Sequence, residues 1–262
     1  MILDLFKLDN KVAIVTGAGK GIGAATAQAL ADIGAKVVCV ARTLSDVEST
    51  AESIRGAGGS AVAVAADVTT ASGRTAIVEA TAAEYGIVDV LVNNAGGMGH
   101  GPTAAIHDEQ FYQAMQVNFM APVYLTRELL PMLAQSEGAA VVNISSGFAK
   151  MAAIGSIPYA GAKAAQEQST RMLAMEYRGK LRVNAIRVGA ITTDNMKQNL
   201  LDVMPGIGDK LAAWTPVGRL GHVQDIAAAV VYLASPASAW SALSVHSRAC
   251  RLSSPCSRCC CW

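Results

Sequence analysis

Short apolar runs alternate with longer amphipathic stretches along most of this chain. Lys11 to Thr16, Lys36 to Ala41 and Val88 to Val92 are largely aliphatic, and Ala61 to Ala66, Ala139 to Ser145 and Leu181 to Arg187 repeat the theme. Such runs, bounded by turn residues, predict strands buried on both faces. Stretches of helical length lie between and after them: from the glycines at 17–23 to about Ile33, Ser45 to Ala57, Ser72 to Tyr85, Asp108 to Gln135, Ile157 to Tyr177, and Val223 to Ala234. Pro122 and Pro131 should kink the fourth of these, whereas Pro158 falls in a first turn, where its missing N–H costs nothing. Strand and helix in alternation predict one doubly wound α/β domain on a parallel sheet of six strands, with right-handed crossovers. Leu243 and Val245 alternate with polar neighbours and would add a seventh strand beside Leu181 to Arg187.

Of the 262 residues, 52% are hydrophobic but only 5% aromatic, so Ala, Val, Ile and Leu must fill the core. A net charge of +1 gives no electrostatic case for nucleic acid or an anionic membrane. Met1 to Lys7 lacks the long apolar core and cleavage site of a secretory signal. No uncharged run reaches the ~18 residues of a transmembrane helix. A soluble cytoplasmic protein is expected.

Candidate chemistry begins at Gly17-Ala18-Gly19-Lys20-Gly21-Ile22-Gly23, between the first strand and the first helix. Glycine there permits a tight turn and close approach of backbone to a phosphate, and the helix N-terminus favours the anion. An NAD site calls for Asp or Glu at the end of the second strand, to hold the ribose 2′-OH. This chain has Ala41 and Arg42 there, with Lys20 in the glycine turn. Two cations without a carboxylate suit a 2′-phosphate; read blandly, they are solvated surface charges. NADP is expected, with NAD as the alternative cofactor, and Asp46 reads as the start or cap of the next helix.

Ser146 follows the fifth strand, Tyr159 comes thirteen positions later, and Lys163 four after that. On a helix, Tyr159 and Lys163 share a face. An ammonium beside a phenol favours the phenolate, so Lys163 should lower Tyr159 from ~10 and make it a usable acid and base. Ligands of open parallel sheets sit beyond the C-terminal strand ends, where the glycine turn, Asn94, Ser146 and the Tyr159 helix should converge.

Taken in order, Thr16-Gly17-x-x-x-Gly21-x-Gly23, Asn93-Asn94-Ala95-Gly96, Ser146 and Tyr159-x-x-x-Lys163 resemble the short-chain dehydrogenase/reductase family over about residues 8–240. The resemblance implies a single-domain Rossmann fold and NADP-linked interconversion of a secondary alcohol and a ketone, by hydride transfer with Tyr159 as acid and base. It also implies that Ser146 orients the substrate oxygen, that Lys163 holds the cofactor ribose, and that Asn118 distorts its helix and completes a water relay. Gly17, Gly19, Lys20, Gly21, Ile22, Gly23, Arg42, Asp67, Val68, Asn94, Ala95, Gly96, Gly189, Ile191 and Thr193 would bind the cofactor together with Tyr159 and Lys163. Asp67 lies by the adenine in the family; read alone, it caps a turn. Val188-Gly189 stands where the family has Pro-Gly, a less pre-set turn that loses no chemical group. Met196, Leu200, Leu201, Met204, Leu211 and Trp214 are either core or a greasy cover, within a lid at about 190–215. The Asn-Asn-Ala-Gly-Gly run, Thr193-Asp194 and the segment Ser235 to Trp240 are similar to the bacterial 7α-hydroxysteroid dehydrogenase branch. That similarity brings steroid-like alcohols and other hydrophobic ketones into view as substrates, with His100 as a donor to them or a plain loop residue. A homo-oligomer, tetramer or dimer, is implied.

The resemblance stops at Trp240. Residues 241–262 form a Ser/Arg/Cys-rich tail with Cys250, Cys256, Cys259, Cys260 and Cys261, where the family has a last apolar strand and an Asp-Gly-Gly turn. Three adjacent cysteines do not readily close one tetrahedral zinc site, so no metal is assigned and a reactive or disordered tail is expected. A shifted reading frame or replaced C-terminus would account for it, and resequencing the 3′ end tests this. Such a tail should weaken the oligomer. Two rival readings are a non-catalytic dinucleotide-binding protein and an enzyme crippled by its tail; the presence of Ser146, Tyr159, Lys163 and Asn118 argues against the first.

Overall fold

A computed structural model of the chain describes residues 1–97 and 101–248, apart from the side chains of 245–248. The aliphatic runs form β1 (Val12–Thr16), β2 (Lys36–Ala41), β3 (Ser60–Ala65), β4 (Val90–Asn93), β5 (Ala140–Ser146) and β6 (Arg182–Val188). A seventh strand, β7 (Val245–Arg248), pairs with β6 at the edge where Leu243 and Val245 pointed, although Leu243 itself stays outside it. All seven strands are parallel, in the order β3-β2-β1-β4-β5-β6-β7. The helices are α1 (Gly21–Asp32), α2 (Leu44–Gly56), α3 (Ala71–Glu84), α4 (Asp108–Met115), α5 (Ala121–Leu133), α6 (Ile157–Glu176), α7 (Asp194–Met196), α8 (Ile207–Trp214) and α9 (Val223–Ala234).

The period of two along each strand divides its aliphatic residues between two cores. Ala13, Val15, Val37 and Val92 pack with Leu30, Val47, Ile54, Ile226 and Leu233 from α1, α2 and α9. Val12, Ile14, Val38 and Leu91 pack on the other face with Ile77, Leu125, Leu129 and Leu133 from α3 and α5. Chain order reverses between β1 and β4, and at such a switch point the strand ends leave a crevice.

The long helix expected over Asp108 to Gln135 is not one helix kinked at its prolines. It divides into α4 and α5 across a π-helical turn, Gln116–Met120, ahead of Pro122, and α5 continues through Pro131 to Leu133. The cause is Asn118, whose Nδ2 donates to the Ala114 carbonyl at 2.9 Å and to the Gly97 carbonyl at 2.7 Å. A side chain bonding within its own helix competes with the backbone ladder and widens it locally. Among the described residues no helix is long and apolar enough to cross a membrane. His100 and the tail cysteines lie outside the described residues.

Candidate active site

The glycine turn follows β1. Gly17 and Gly21 have φ of +66° and +58°, a region that side chains disfavour. A Cβ on Gly23 would collide with the Gly17 carbonyl, so α1 abuts the turn with no side chain between. Gly23→Val is therefore expected to destabilise the fold by at least ~1–3 kcal/mol and to abolish dinucleotide binding; a wild-type urea midpoint would contradict this. Asn94 leaves β4 and donates its Nδ2 to the Thr16 and Gly17 carbonyls at 2.9 and 3.2 Å. Thr16 Oγ1 accepts from the Asn94 and Ala95 N–H groups at 3.0 Å each. Thr16 was visible in the motif but not singled out; its role depends on β4 lying beside β1.

A cleft of about 700 Å³ opens beyond these strand ends, and Gly17, Gly19, Lys20, Arg42, Asp67 and Gly96 are among the residues lining it. Val68 and Ala95 line it too, whereas Ile22 packs against the core beneath α1. Lys20 at the N-cap of α1 makes no side-chain capping bond, and the first N–H groups of a helix have no acceptor within it. This cradle fits the pyrophosphate of a dinucleotide. Asp67 Oδ1 accepts from the Thr69 N–H and hydroxyl at 2.9 and 2.7 Å. Burial opposes the Asp67 charge, but these bonds and the Arg42 guanidinium hold the carboxyl below its ordinary range. Buried Arg74 steadies the same loop, donating to the Val68 and Thr69 carbonyls and pairing with Glu128 at 3.0 Å. The expectation of two cations without a carboxylate needs correction. Asp46, in the first turn of α2, lines the cleft and pairs with Lys20 at 3.0 Å.

Gly189 follows β6, and Ile191 bridges to Gly221. Thr193 caps α7, accepting from the Met196 N–H at 3.1 Å, and a Cβ on Gly21 would lie 3.5 Å from its methyl. The segment after β6 thus meets the glycine turn.

Ser146, Tyr159, Lys163 and Asn118 come from β5, α6 and the π-helical turn. The Tyr159 hydroxyl lies beside the Ser146 side chain, and its ring meets Phe148 edge-on at 6.1 Å. Lys163 Nζ lies 5.9 Å from the Tyr159 ring centroid and donates to the Ile144 carbonyl at 2.7 Å and Gln166 Oε1 at 3.3 Å. A Cβ on Gly96 would be 2.9 Å from Asn118 Oδ1 and 3.7 Å from Lys163 Nζ, which sets both groups beside Gly96.

The proton affinities depart from the expected ones. Burial raises Tyr159, with the Ser146 hydrogen bond opposing, and burial pushes Lys163 down to about 7, with the Glu167 carboxylate opposing. An ammonium that itself sheds its charge near neutral pH gives the phenolate little support, so Lys163 does not lower Tyr159 in the free chain. Unfolded, Lys163 returns to its ordinary 10.5 and binds a proton that the folded chain lacks between about pH 7 and that value. Folding stability should therefore rise with pH across this window. Above tyrosine's ordinary 10.0 the raised Tyr159 works in the opposite direction. Urea midpoints measured across pH should show the rise in the wild type and a flatter profile in Lys163→Met.

Beneath these residues lies a buried network that sequence reasoning missed. Glu167, only 3% exposed, accepts from Ser145 Oγ at 2.8 Å and from Arg187 Nε at 3.0 Å, joining α6 to β5 and β6. Asn93, Asn143 and Thr170 form a second chain of bonds at 2.8 and 2.9 Å. A mid-helix Glu reads as a solvated charge until the strand partners are in place.

A glycine-turn cleft at the switch point of a parallel sheet, with a phenol, a hydroxyl and an amine at its end, defines a nicotinamide-dependent oxidoreductase. The chain matches the short chain dehydrogenase family over residues 11–203 and belongs to it. A 7α-hydroxysteroid dehydrogenase of Escherichia coli strain K12 is 36% identical over 238 residues, covering 90% of this chain and 92% of that protein. The structure of a 7α-hydroxysteroid dehydrogenase with NADH and 7-oxo glycochenodeoxycholic acid superposes with a TM-score of 0.90 at 34% identity, over 94% and 95% of the two chains. A protein described as a gluconate 5-dehydrogenase of Beutenbergia cavernae, with NADP at low occupancy, superposes with a TM-score of 0.86 at 34% identity, over 93% and 96%. The present chain is thus an NAD(P)-dependent short-chain dehydrogenase/reductase acting on alcohol and ketone groups.

Proposed function

We propose that this enzyme interconverts a secondary alcohol and a ketone on a hydrophobic, steroid-like substrate, with NADP as its preferred cofactor and Tyr159 as acid and base. The observation that carries this reading is that the Tyr159 phenol lies beside Ser146 at the end of β5, with Lys163 one turn further along α6. A nicotinamide dinucleotide supplies or accepts the hydride when bound. Ser146 and Tyr159 offer two hydroxyls to one substrate oxygen. Burial keeps the Tyr159 phenol protonated, the form that gives its proton to a ketone oxygen during reduction. In the reverse direction Tyr159 takes the alcohol proton, and a protonated Lys163 stabilises the resulting phenolate. Asn118 holds the π-helical turn and the Gly97 backbone beside Lys163. The cradle of Gly17, Gly19, Gly21 and Gly23 with Asn94, and the segment carrying Gly189, Ile191 and Thr193, bind the dinucleotide in this reading.

The substrate class rests on the segment 195–214. Met196, Leu200, Leu201, Met204, Leu211 and Trp214 are all at least partly exposed, with Met204 at 51% and Trp214 at 73%, so they are not core. An exposed run of apolar side chains suits a greasy ligand. NADPH oxidation with a panel of steroid ketones, small ketones and keto-sugars tests the reading. Turnover of steroid ketones is expected; turnover confined to keto-sugars overturns the substrate class. Phe111 and Tyr112 on α4 with Met172 and Met175 on α6 also leave apolar surface exposed, which supports a homo-oligomer. Size-exclusion chromatography should show a dimer or tetramer, and a monomer at working concentration contradicts this.

A further inference from the structure

The carboxylate of Asp46 reaches the part of the cleft where a cofactor's adenosine ribose would lie, between the glycine turn and the end of β2. It is held there by the fold. A Cβ on Gly19 would stand 2.8 Å from Asp46 Cβ, so the first turn of α2 packs directly on the glycine turn. Thr50 bolts the two together, its hydroxyl bonded to the Ala18 carbonyl at 3.0 Å and the Asp46 carbonyl at 3.2 Å. From this fixed base Asp46 pairs with Lys20 at 3.0 Å, with side-chain exposures of 26% and 72%. Arg42 lines the same cleft.

We propose that Asp46 sets the selectivity between NADP and NAD, by neutralising Lys20 until a 2′-phosphate displaces it. The inference rests on the dinucleotide reading of this cleft. A 2′-phosphate carries close to two negative charges at neutral pH. To bind it, Lys20 must leave Asp46, and the abandoned carboxylate then faces a dianion of its own sign. A ribose with a free 2′-OH leaves the Lys20–Asp46 pair intact. Asp46 therefore compresses the preference for NADP that Lys20 and Arg42 would otherwise confer.

The test is a fluorescence titration of NADPH and of NADH into the full chain, as wild type, Asp46→Asn, Lys20→Gln and the double variant. Asn keeps the shape of Asp and removes its charge. Asp46→Asn is expected to tighten NADPH by about 3- to 10-fold and NADH by less than ~2-fold, the range of exposed charge pairs. In the Lys20→Gln background the gain should shrink, since part of it is the released ammonium. Equal changes for both dinucleotides, or weaker NADPH binding, overturn the inference. A wild type that prefers NADH, with NADPH still selectively tightened by Asp46→Asn, removes the proposed NADP preference and upholds the role of Asp46. Failure of either dinucleotide to bind any of the proteins overturns the cofactor reading and this inference with it.

Discussion

Tyr159→Phe is expected to abolish turnover, with a loss of at least the ~10²–10⁴-fold typical of a general acid or base, while NADPH still binds. The substitution keeps the ring and its edge-on contact with Phe148 and removes only the hydroxyl beside Ser146. No group then transfers a proton to the ketone oxygen as the hydride arrives, and Ser146 alone can hydrogen-bond and orient that oxygen without supplying a proton of comparable acidity. The substitution leaves the glycine cradle and its Asn94 anchor untouched, so the dinucleotide titration should hardly change. Ser146→Ala provides the comparison, since it removes a positioning bond and leaves the acid in place. Its defect should be smaller. Appreciable residual turnover in Tyr159→Phe would refute the role assigned to the phenol.

Glu167→Ala should cost about 3–5 kcal/mol of folding stability, read as a lower urea midpoint. The magnitude follows from burial rather than from the pair itself. Glu167 and Arg187 have side chains 4% and 15% exposed, and removing the carboxylate leaves the guanidinium and the Ser145 hydroxyl without their acceptor in a dry layer. Against a total stability of roughly 5–15 kcal/mol this is a large share. Replacing both partners, as Glu167→Leu with Arg187→Met, should recover most of the loss, because neither charge then remains to be desolvated. The Arg219–Asp225 pair makes the contrast. It is as close, at 2.7 Å, but its side chains are 50% and 41% exposed, and breaking it should cost no more than ~1 kcal/mol. Equal effects from the two pairs would show that burial is not the deciding factor.

Read alone, the chain already determined its strands and most helices, because the two-residue and 3.6-residue periods are local and each aliphatic run can satisfy only one of them. It also singled out the candidate site residues. Gly17 to Gly23 open a helix directly after a strand, Tyr159 and Lys163 sit one turn apart, and parallel sheets direct ligands to their C-terminal ends. Four matters waited for the tertiary structure. A distortion at Asn118 was implied by the resemblance, but the carbonyl of Gly97 that helps to hold it comes from a separate loop. Asp46 looked like the start of a helix, and only the packing of α2 on the glycine turn brings its carboxylate to Lys20. Glu167 gave no signal of its own, and only β5 and β6 supply its partners Ser145 and Arg187. The proton affinity of Tyr159 moved opposite to the expected direction and that of Lys163 fell, since neighbours in sequence describe charge while desolvation is imposed by everything packed around a group.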